Sequence, residues 1–434
     1  MPAKNSIGIG LLGLGVVGSG VARILHEKAD VYAKRIGVPL EIRRILVRDL
    51  QKKRDFSPEP ALLTTDPDAV FGDPSIDVIV EVMGGEDPAY SYIRRAVESG
   101  RFVVTANKEV MAKHGPDLLG LARDKDVDIL YEASVGGGIP LISPLKRDLL
   151  ANDVDRITAI INGTTNYILT RMAREGTDYA DALAEAQQLG YAEPDPTNDV
   201  EAFDATYKLA IMASLGFHTR VHPSDIYREG ITRITARDFR YAGELGYVIK
   251  LLALAQREDG TVRVRVHPSM VHADEPIAKV DGVFNAVQLE GDLLGRVVFQ
   301  GRGAGSLPTT SAVVADLIDV ATGLTRGWRQ RLNWVDEGAA AIAPMDTLRT
   351  RYYIRLTLND QPGVLARIAT ILGEHGISIA SVIQKEADES AQTAEVVIMT
   401  HTACEAGIQK AIAELRANEA IPEVGSCIRV ESTV

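Results

Sequence analysis

Short apolar runs rich in valine and isoleucine alternate with amphipathic stretches through the first 135 residues. The runs "IGIGLL", "LEIRRILV", "IDVIVEVM", "RFVVTA" and "VDILYEA" have the length and β-branched content of buried strands. Between them, "SYIRRAVESG" and "GPDLLGLARDKD" space their apolar residues as a helix does. The alternation predicts an α/β fold, a Rossmann-type doubly wound parallel sheet over residues 1–135. From 136 to 322 the pattern turns mostly helical, with strand-like "TVRVRVHPSMV" and "GRVVFQ" later, which predicts a second α+β domain. Within it, a helix near 308–322 is expected to return to the first sheet. A linker at 323–349, carrying both tryptophans, leads to 350–434, whose pieces follow the βαββαβ order of a ferredoxin-like unit.

The glycine fingerprint G-x-G-x-x-G occurs twice in overlapping frames within "SIGIGLLGLGVVGSGVARIL". A working fingerprint follows a buried strand and opens a helix, so that free helix N–H groups meet a pyrophosphate. Only the frame Gly13, Gly15, Gly18 does so. Gly13 then makes the turn, Gly15 admits the pyrophosphate and Gly18 lets helix and strand close up, while Gly8 and Gly10 belong to the strand and to helix packing. A purely structural glycine-rich turn is the bland alternative. After the second strand, "ILVRDLQKKR" offers Asp49 for the ribose of NAD and Arg48, Lys52, Lys53 and Arg54 for the extra phosphate of NADP. The cations favour NADP and leave NAD open; solvated surface charges are the alternative.

Composition narrows the class. A formal charge of −12 over 434 residues disfavours a nucleic-acid surface. The longest apolar runs fall short of the ~20 residues that cross a bilayer, so no membrane partner is expected. The N-terminus lacks the features of a signal peptide, and the expected location is the cytoplasm. Cys404 and Cys427 match no metal spacing or disulfide framework, and no G-x-S-x-G elbow occurs.

Two lysines are candidates for chemistry. Lys108 in "TANKE" falls just past the strand "RFVVTA", at the carboxyl edge where a Rossmann sheet places its cofactor, although a loop lysine is as readily just solvated. Lys208 lies four residues after Asp204. Asn198 and Glu201 have capping-box spacing, so the helix is expected to begin near Asp199. An exposed helix pair is the simplest reading of Asp204 and Lys208, but the following "LAIMASLG" is apolar nearly all round and points to burial. Upstream, Glu193, Asp195 and Asp199 join Asp204 around a proline-stiffened loop, a carboxylate set suited to an ammonium-bearing substrate. His114, His218 and His222 have no suggestive carboxylate partner in the sequence.

The motifs "GLGVVG", "TANKE", "YEASVGGGIPLI", "INGTTNYIL", "LGYAEPDPTNDVEAFDATYKL" and "GRGAGSLPTTSAVVADL", in this order, resemble homoserine dehydrogenase over residues 7 to about 322. The tail, with "LNDQPGVLARIATIL", resembles an ACT domain. The resemblance implies NAD(P)-dependent interconversion of L-homoserine and L-aspartate 4-semialdehyde, a step toward threonine and methionine. It makes residues 136–322 the substrate-binding and dimerisation domain. It makes Lys208 the general acid, with Lys108 touching substrate and cofactor, and has Glu193 and Asp204 hold the substrate's amino group and orient Lys208. Glu193, Asp199 and Thr164 would surround the substrate. Val16, Val17 and Gly303 would join the glycine turn at the cofactor. It further implies a sodium ion on backbone oxygens of Glu132, Val135, Gly137 and Ile139, threonine as effector near Asp360 and Gly363, and a homodimer or tetramer. Two positions depart from the family pattern: Ala202 stands where Gly is usual, which is expected to tighten helix packing, and Val16 where Thr is usual.

Two rivals are weighed against this. Aspartate-semialdehyde dehydrogenase needs a catalytic cysteine in the second domain, and none is there. A regulator sensing NAD(P)H and an amino acid would leave Lys108, Glu193, Asp204 and Lys208 idle. The tail could also be a module that only dimerises.

Overall fold

A computed structural model describes residues 4–54, 56–258, 260–327, 340–388 and 392–431. The tryptophan-bearing part of the expected linker, residues 328–339, lies outside the described residues. The chain divides into two interleaved compact units, Met1–Ile157 with Tyr207–Ser224 and Asn285–Ala340, and Thr158–Thr206 with Asp225–Phe284 and Ala341–Val434.

In the first unit six parallel strands form one sheet among the described residues: β1 (Ile7–Leu12), β2 (Leu40–Leu46), β3 (Leu63–Thr64), β4 (Val78–Glu81), β5 (Phe102–Thr105) and β6 (Ile129–Leu130). Their order is β3-β2-β1-β4-β5-β6, the doubly wound Rossmann order. β1, β4 and β5 are buried along their whole length, which is why they read as apolar runs without alternation. The helix Ser306–Arg326 returns to pack on the helices Val16–Glu27 and Ala29–Ile36 and on β5. By length and hydropathy it could cross a membrane, a property that a search for uninterrupted apolar runs misses. Here it serves as a core helix, with Val313, Leu317 and Ala321 fully buried and Asp316 buried among them.

The second unit is built on a long antiparallel hairpin, Tyr247–Glu258 with Thr261–His272. Strand Glu423–Val430 pairs in parallel with its second arm through Ser269↔Arg429 and Met270↔Val430. Strands Arg349–Asn359, Thr393–Thr400 and Ile379–Asp388 continue the sheet, all antiparallel. The helices Val364–Glu374 and Glu405–Arg416 complete the ferredoxin-like unit. Tyr352, Ile354 and Leu356 alternate into its core against Ile368, Leu372, Ile408 and Ile412.

The opposite face of strand Arg349–Asn359 carries charge into the interior. Arg355 is 1% exposed; its Nε donates to Asp238 Oδ1 at 2.8 Å and one terminal nitrogen to Glu395 Oε2 at 3.2 Å. Asp238 also accepts from Ser426 and Tyr353. Nearby, Arg429 pairs with Glu405, which accepts from the Tyr352 hydroxyl as well. Burial raises both carboxyl pKa values, but the guanidinium partners outweigh it and hold Asp238 and Glu405 below their ordinary range. A depressed carboxyl pKa stabilises the fold above the unfolded value, and that contribution is lost as pH falls through the folded value. Asp238→Asn, which leaves Glu395 as the carboxylate paired with Arg355, is therefore expected to cost about 1.5 to 3 kcal/mol at pH 7. The deficit relative to the parent chain should shrink below about pH 4. Urea unfolding at both pH values measures this, and an unchanged midpoint at pH 7 contradicts it.

Candidate active site

The glycine turn is built at the carboxyl end of β1. Gly13 adopts a left-handed backbone (φ 100°) and donates its N–H to Leu46 O at the end of β2. A Cβ built on Gly18 would lie 2.2 Å from the Gly13 carbonyl oxygen, so only glycine lets the helix Val16–Glu27 start this close to the strand. Gly15 is the N-cap, and a Cβ there would meet nothing within 4 Å. The first turn has neither a side-chain cap nor an acidic residue, which leaves its N–H groups and positive dipole end to an anion. Val16 is 67% exposed at the helix start and Val17 half-buried. Behind the turn, Gly8 and Gly10 face Ser75 and Val70, where side chains would collide. Arg48 is exposed two residues beyond the end of β2, and Arg54 folds back to donate to Asp49 O at 2.5 Å.

Along the same edge, Glu81 closes β4 and is wholly buried. Its carboxylate accepts from Thr105 Oγ1 at 2.6 Å and Met83 N–H at 2.7 Å; burial raises its pKa and these bonds oppose the rise. Asn107 donates its N–H to Thr105 Oγ1 and its Nδ2 to Gly85 O, and its Oδ1 caps the helix Lys108–Asp124 by accepting Val110 N–H. Lys108 is thereby fixed as the first residue of a capped helix. Sequence reasoning passed over Glu81, although a lone carboxylate ending an otherwise apolar strand was the available signal. It also left His114 without a partner. The structure corrects this: His114 Nε2 lies 2.7 Å from Glu86 Oε1, and Glu86 is held below its usual pKa by Lys113 and His114.

A further loop of the first unit runs from Glu132 to Ile139. The buried Glu132 carboxylate accepts three backbone N–H bonds, from Leu141, Ile142 and Ser143, and its own N–H donates to Asp316. Gly136 and Gly137 are left-handed, and a Cβ on Gly137 would strike the Gly303 carbonyl at 2.5 Å. Among the described residues no group of three or more His, Cys, Asp or Glu could hold a metal. Any ion here would need main-chain oxygens, and with the Glu132 carboxylate engaged, its carbonyl is the donor that remains to it.

The second unit gathers the carboxylates around Asn162. Its Oδ1 caps the helix Gly163–Glu175 by accepting Thr165 N–H, and its Nδ2 donates to Asp199 Oδ1 at 2.7 Å and Asp204 Oδ2 at 2.9 Å. Thr164 Oγ1 donates to Tyr191 O at 2.6 Å, which ties that helix to the loop carrying Glu193; Glu193 itself is exposed. The expected helix start near Asp199 is corrected: a short helix, Thr197–Val200, is followed by the left-handed Ala202 (φ 63°), and the helix Phe203–Gly216 begins after it. Asp204 and Lys208 lie one turn apart on that second helix, 3% and 8% exposed. In the ferredoxin-like unit, Gly363 (φ 91°) precedes the uncapped helix Val364–Glu374, and Asp360 is exposed, its N–H donating to Gln392 O.

Ala202 is fully buried, and its backbone has a role the sequence reading did not foresee. It supplies the left-handed break, where a side chain costs about 1 to 2 kcal/mol. Relief of that cost offsets the loss of a buried methyl, about 0.8 kcal/mol, and the added freedom of the unfolded chain. Ala202→Gly is expected to shift stability by less than about 0.5 kcal/mol, whereas Ala213→Gly in the following helix costs about 1 kcal/mol or more. Equal losses in urea unfolding would refute the strained assignment.

Family models agree with this layout. The "Homoserine dehydrogenase, NAD binding domain" model matches residues 13–132, "Homoserine dehydrogenase" 140–318 and "ACT domain" 352–420. The chain is 43% identical to a homoserine dehydrogenase of Synechocystis sp., over 98% of this chain and 100% of that one. A crystal structure of a homoserine dehydrogenase from Thiobacillus denitrificans superposes with TM-score 0.90 at 40% identity, covering 98% of both chains. A hyperthermophilic archaeal homoserine dehydrogenase in complex with NADPH matches with TM-score 0.62 at 28% identity, covering 73% of this chain and 97% of that one. With its Rossmann sheet and ACT tail, the chain belongs to the homoserine dehydrogenase family, NAD(P)-dependent oxidoreductases that interconvert L-homoserine and L-aspartate 4-semialdehyde.

Proposed function

We propose that in the reversible reduction of L-aspartate 4-semialdehyde to L-homoserine Lys208 donates the proton to the developing alkoxide, with Lys108 touching substrate and cofactor. A bound nicotinamide supplies the hydride. Negative charge then grows on the aldehyde oxygen, and a positioned ammonium group both stabilises it and delivers the proton. The observation that carries this reading is the burial of Lys208 one turn from buried Asp204, on a helix otherwise apolar. Asp204 orients Lys208, while Glu193, Asp199 and Thr164 surround the amino-acid end of the substrate. Gly13, Gly15, Val16, Val17, Gly18 and Gly303 cradle the dinucleotide. Arg48 takes the 2′-phosphate and sets a preference for NADP, supported by its exposed place beyond β2 and by the NADPH held by the archaeal relative. Lys208→Ala is expected to lose most turnover at unchanged NADPH affinity. Gly15→Ala should weaken NADPH binding at unchanged melting temperature, because its methyl meets no protein atom. Homoserine-dependent NADPH formation and fluorescence titration measure both; full turnover in Lys208→Ala overturns the assignment, and kcat/KM favouring NADH overturns the preference.

Further expectations rest on the same reading. A sodium ion sits on the main-chain oxygens of Glu132, Val135, Gly137 and Ile139, supported by the left-handed glycine loop. Threonine binds near Asp360 and Gly363 and inhibits the reaction, supported by the uncapped helix start there. A homodimer or tetramer is supported by the strand Gly295–Arg302, which ends the sheet order among the described residues beside Phe284–Gly291. Two thiols outside any disulfide, Cys404 and Cys427, suit the reducing cytoplasm. Melting temperature is expected to rise with sodium over choline at equal ionic strength, and with threonine; no shift removes that ligand.

A further inference from the structure

Two helices of the first unit, Val16–Glu27 and Ser306–Arg326, begin side by side. Ser306 Oγ donates to Val16 O at 3.3 Å, and a Cβ built on Gly20 would lie 2.3 Å from Thr310 Oγ1 and 3.3 Å from Ser306 Oγ. Residues 16 and 20 thus meet 306 and 310 in the same order, so the two helices run parallel and start at one level. Each has a glycine as N-cap, Gly15 and Gly305, with no side-chain cap and no acidic residue in the first turn. Two positive dipole ends, about half an elementary charge each, are therefore set together, which is unfavourable until an anion meets both. Protein does not cover them: Val16 is 67% and Leu307 70% exposed. Pro308 has no N–H and Thr309 N–H donates to Gly305 O, so the first-turn donors that the second helix leaves unused are those of Ser306 and Leu307.

The turn into that helix carries an independent sign of a ligand. Asn285 is wholly buried, and neither Nδ2 nor Oδ1 of its amide has a hydrogen-bond partner among the described residues. The amide is aimed at Gly303, where a Cβ would lie 1.8 Å from Nδ2, so the turn Gly303–Gly305 can meet it only through backbone. An unpaired interior amide is costly and marks a place where a bond remains to be made.

We propose that the start of Ser306–Arg326 is the second half of the dinucleotide site: the Ser306 hydroxyl and the N–H groups of Ser306 and Leu307 bind one phosphate of the diphosphate, and the Gly15 turn binds the other. This rests on the reading that Gly13, Gly15 and Gly18 hold the dinucleotide. A diphosphate carries its negative charge on two adjacent groups, and two parallel helix ends offer a positive terminus to each.

The test uses the full chain without substrate and follows NADPH and NADH binding by fluorescence titration, beside the melting temperature of the unliganded protein. Ser306→Asp puts a carboxylate in the first helical turn. It favours the helix, so the melting temperature should hold or rise, yet it repels phosphate, so Kd should rise about tenfold for both dinucleotides. A residue that only packs the helices would not raise Kd in a chain of undiminished stability. Ser306→Ala, which adds no charge and covers a Ser306→Asp chain that does not fold, should raise both Kd values about threefold; Ser306→Thr, which keeps the hydroxyl, should stay within about twofold. A loss confined to NADPH would set the 2′-phosphate at Ser306 and overturn the assignment. Unchanged Kd in Ser306→Asp, where Gly15→Ala does weaken binding, overturns the second half alone; if Gly15→Ala also leaves Kd unchanged, the glycine-turn reading falls first and this proposal with it.

Discussion

No side chain separates the helix Val16–Glu27 from the strand before it, because the place a Gly18 Cβ would fill is taken by the Gly13 carbonyl, 2.2 Å away. That contact brings the helix start against the end of β1, with its N–H groups facing outward at Gly15. The neighbouring strands are parallel, so β4 and β5 end at the same edge. There the Glu81 carboxylate and the Thr105 hydroxyl lock together, and Asn107 turns the chain into the helix that begins with Lys108. An anion-binding helix terminus and a cation are thus set on one edge by backbone packing before any ligand arrives.

Buried polar groups are handled in two ways. Asp238 with Arg355 and Glu405 with Arg429 cancel their charges in the interior of the second unit, and each guanidinium has a second carboxylate, Glu395 or Glu229, beside it. Around Asn162 two carboxylates, of Asp199 and Asp204, are instead joined through one neutral amide, which satisfies their oxygens without adding charge.

The parallel strands were legible because full burial writes itself as unbroken apolar runs, and the correct glycine frame because a strand had to precede it. Ala202 was not legible, since a left-handed backbone is normally announced by glycine and here is imposed on alanine by the chain around it. His114 with Glu86, Arg355 with Asp238 and Asn162 with Asp204 escaped for another reason: each joins residues far apart in sequence, and no local period encodes such a pair. The helix Ser306–Arg326 hid its apolarity behind interspersed serine, threonine and aspartate residues. The family motifs named the carboxylates and lysines but gave no account of what holds them.

Lys208 shows why that holding matters. A lysine 8% exposed on a largely apolar helix gives up much of its hydration, and ion pairing inside a protein seldom returns more than was lost. Stability alone would favour a leucine or methionine at this position. In the proposed mechanism a lysine there is accounted for by chemistry: desolvation strengthens its field on a charge that appears only in the transition state, and a fixed helix keeps it from relaxing toward water. The carboxylate one turn before it is itself anchored by an amide from another helix. The chain accepts unfavourable burial at two successive turns of one helix, and in the proposed mechanism a proton delivered to a nascent alkoxide is the function that burial serves.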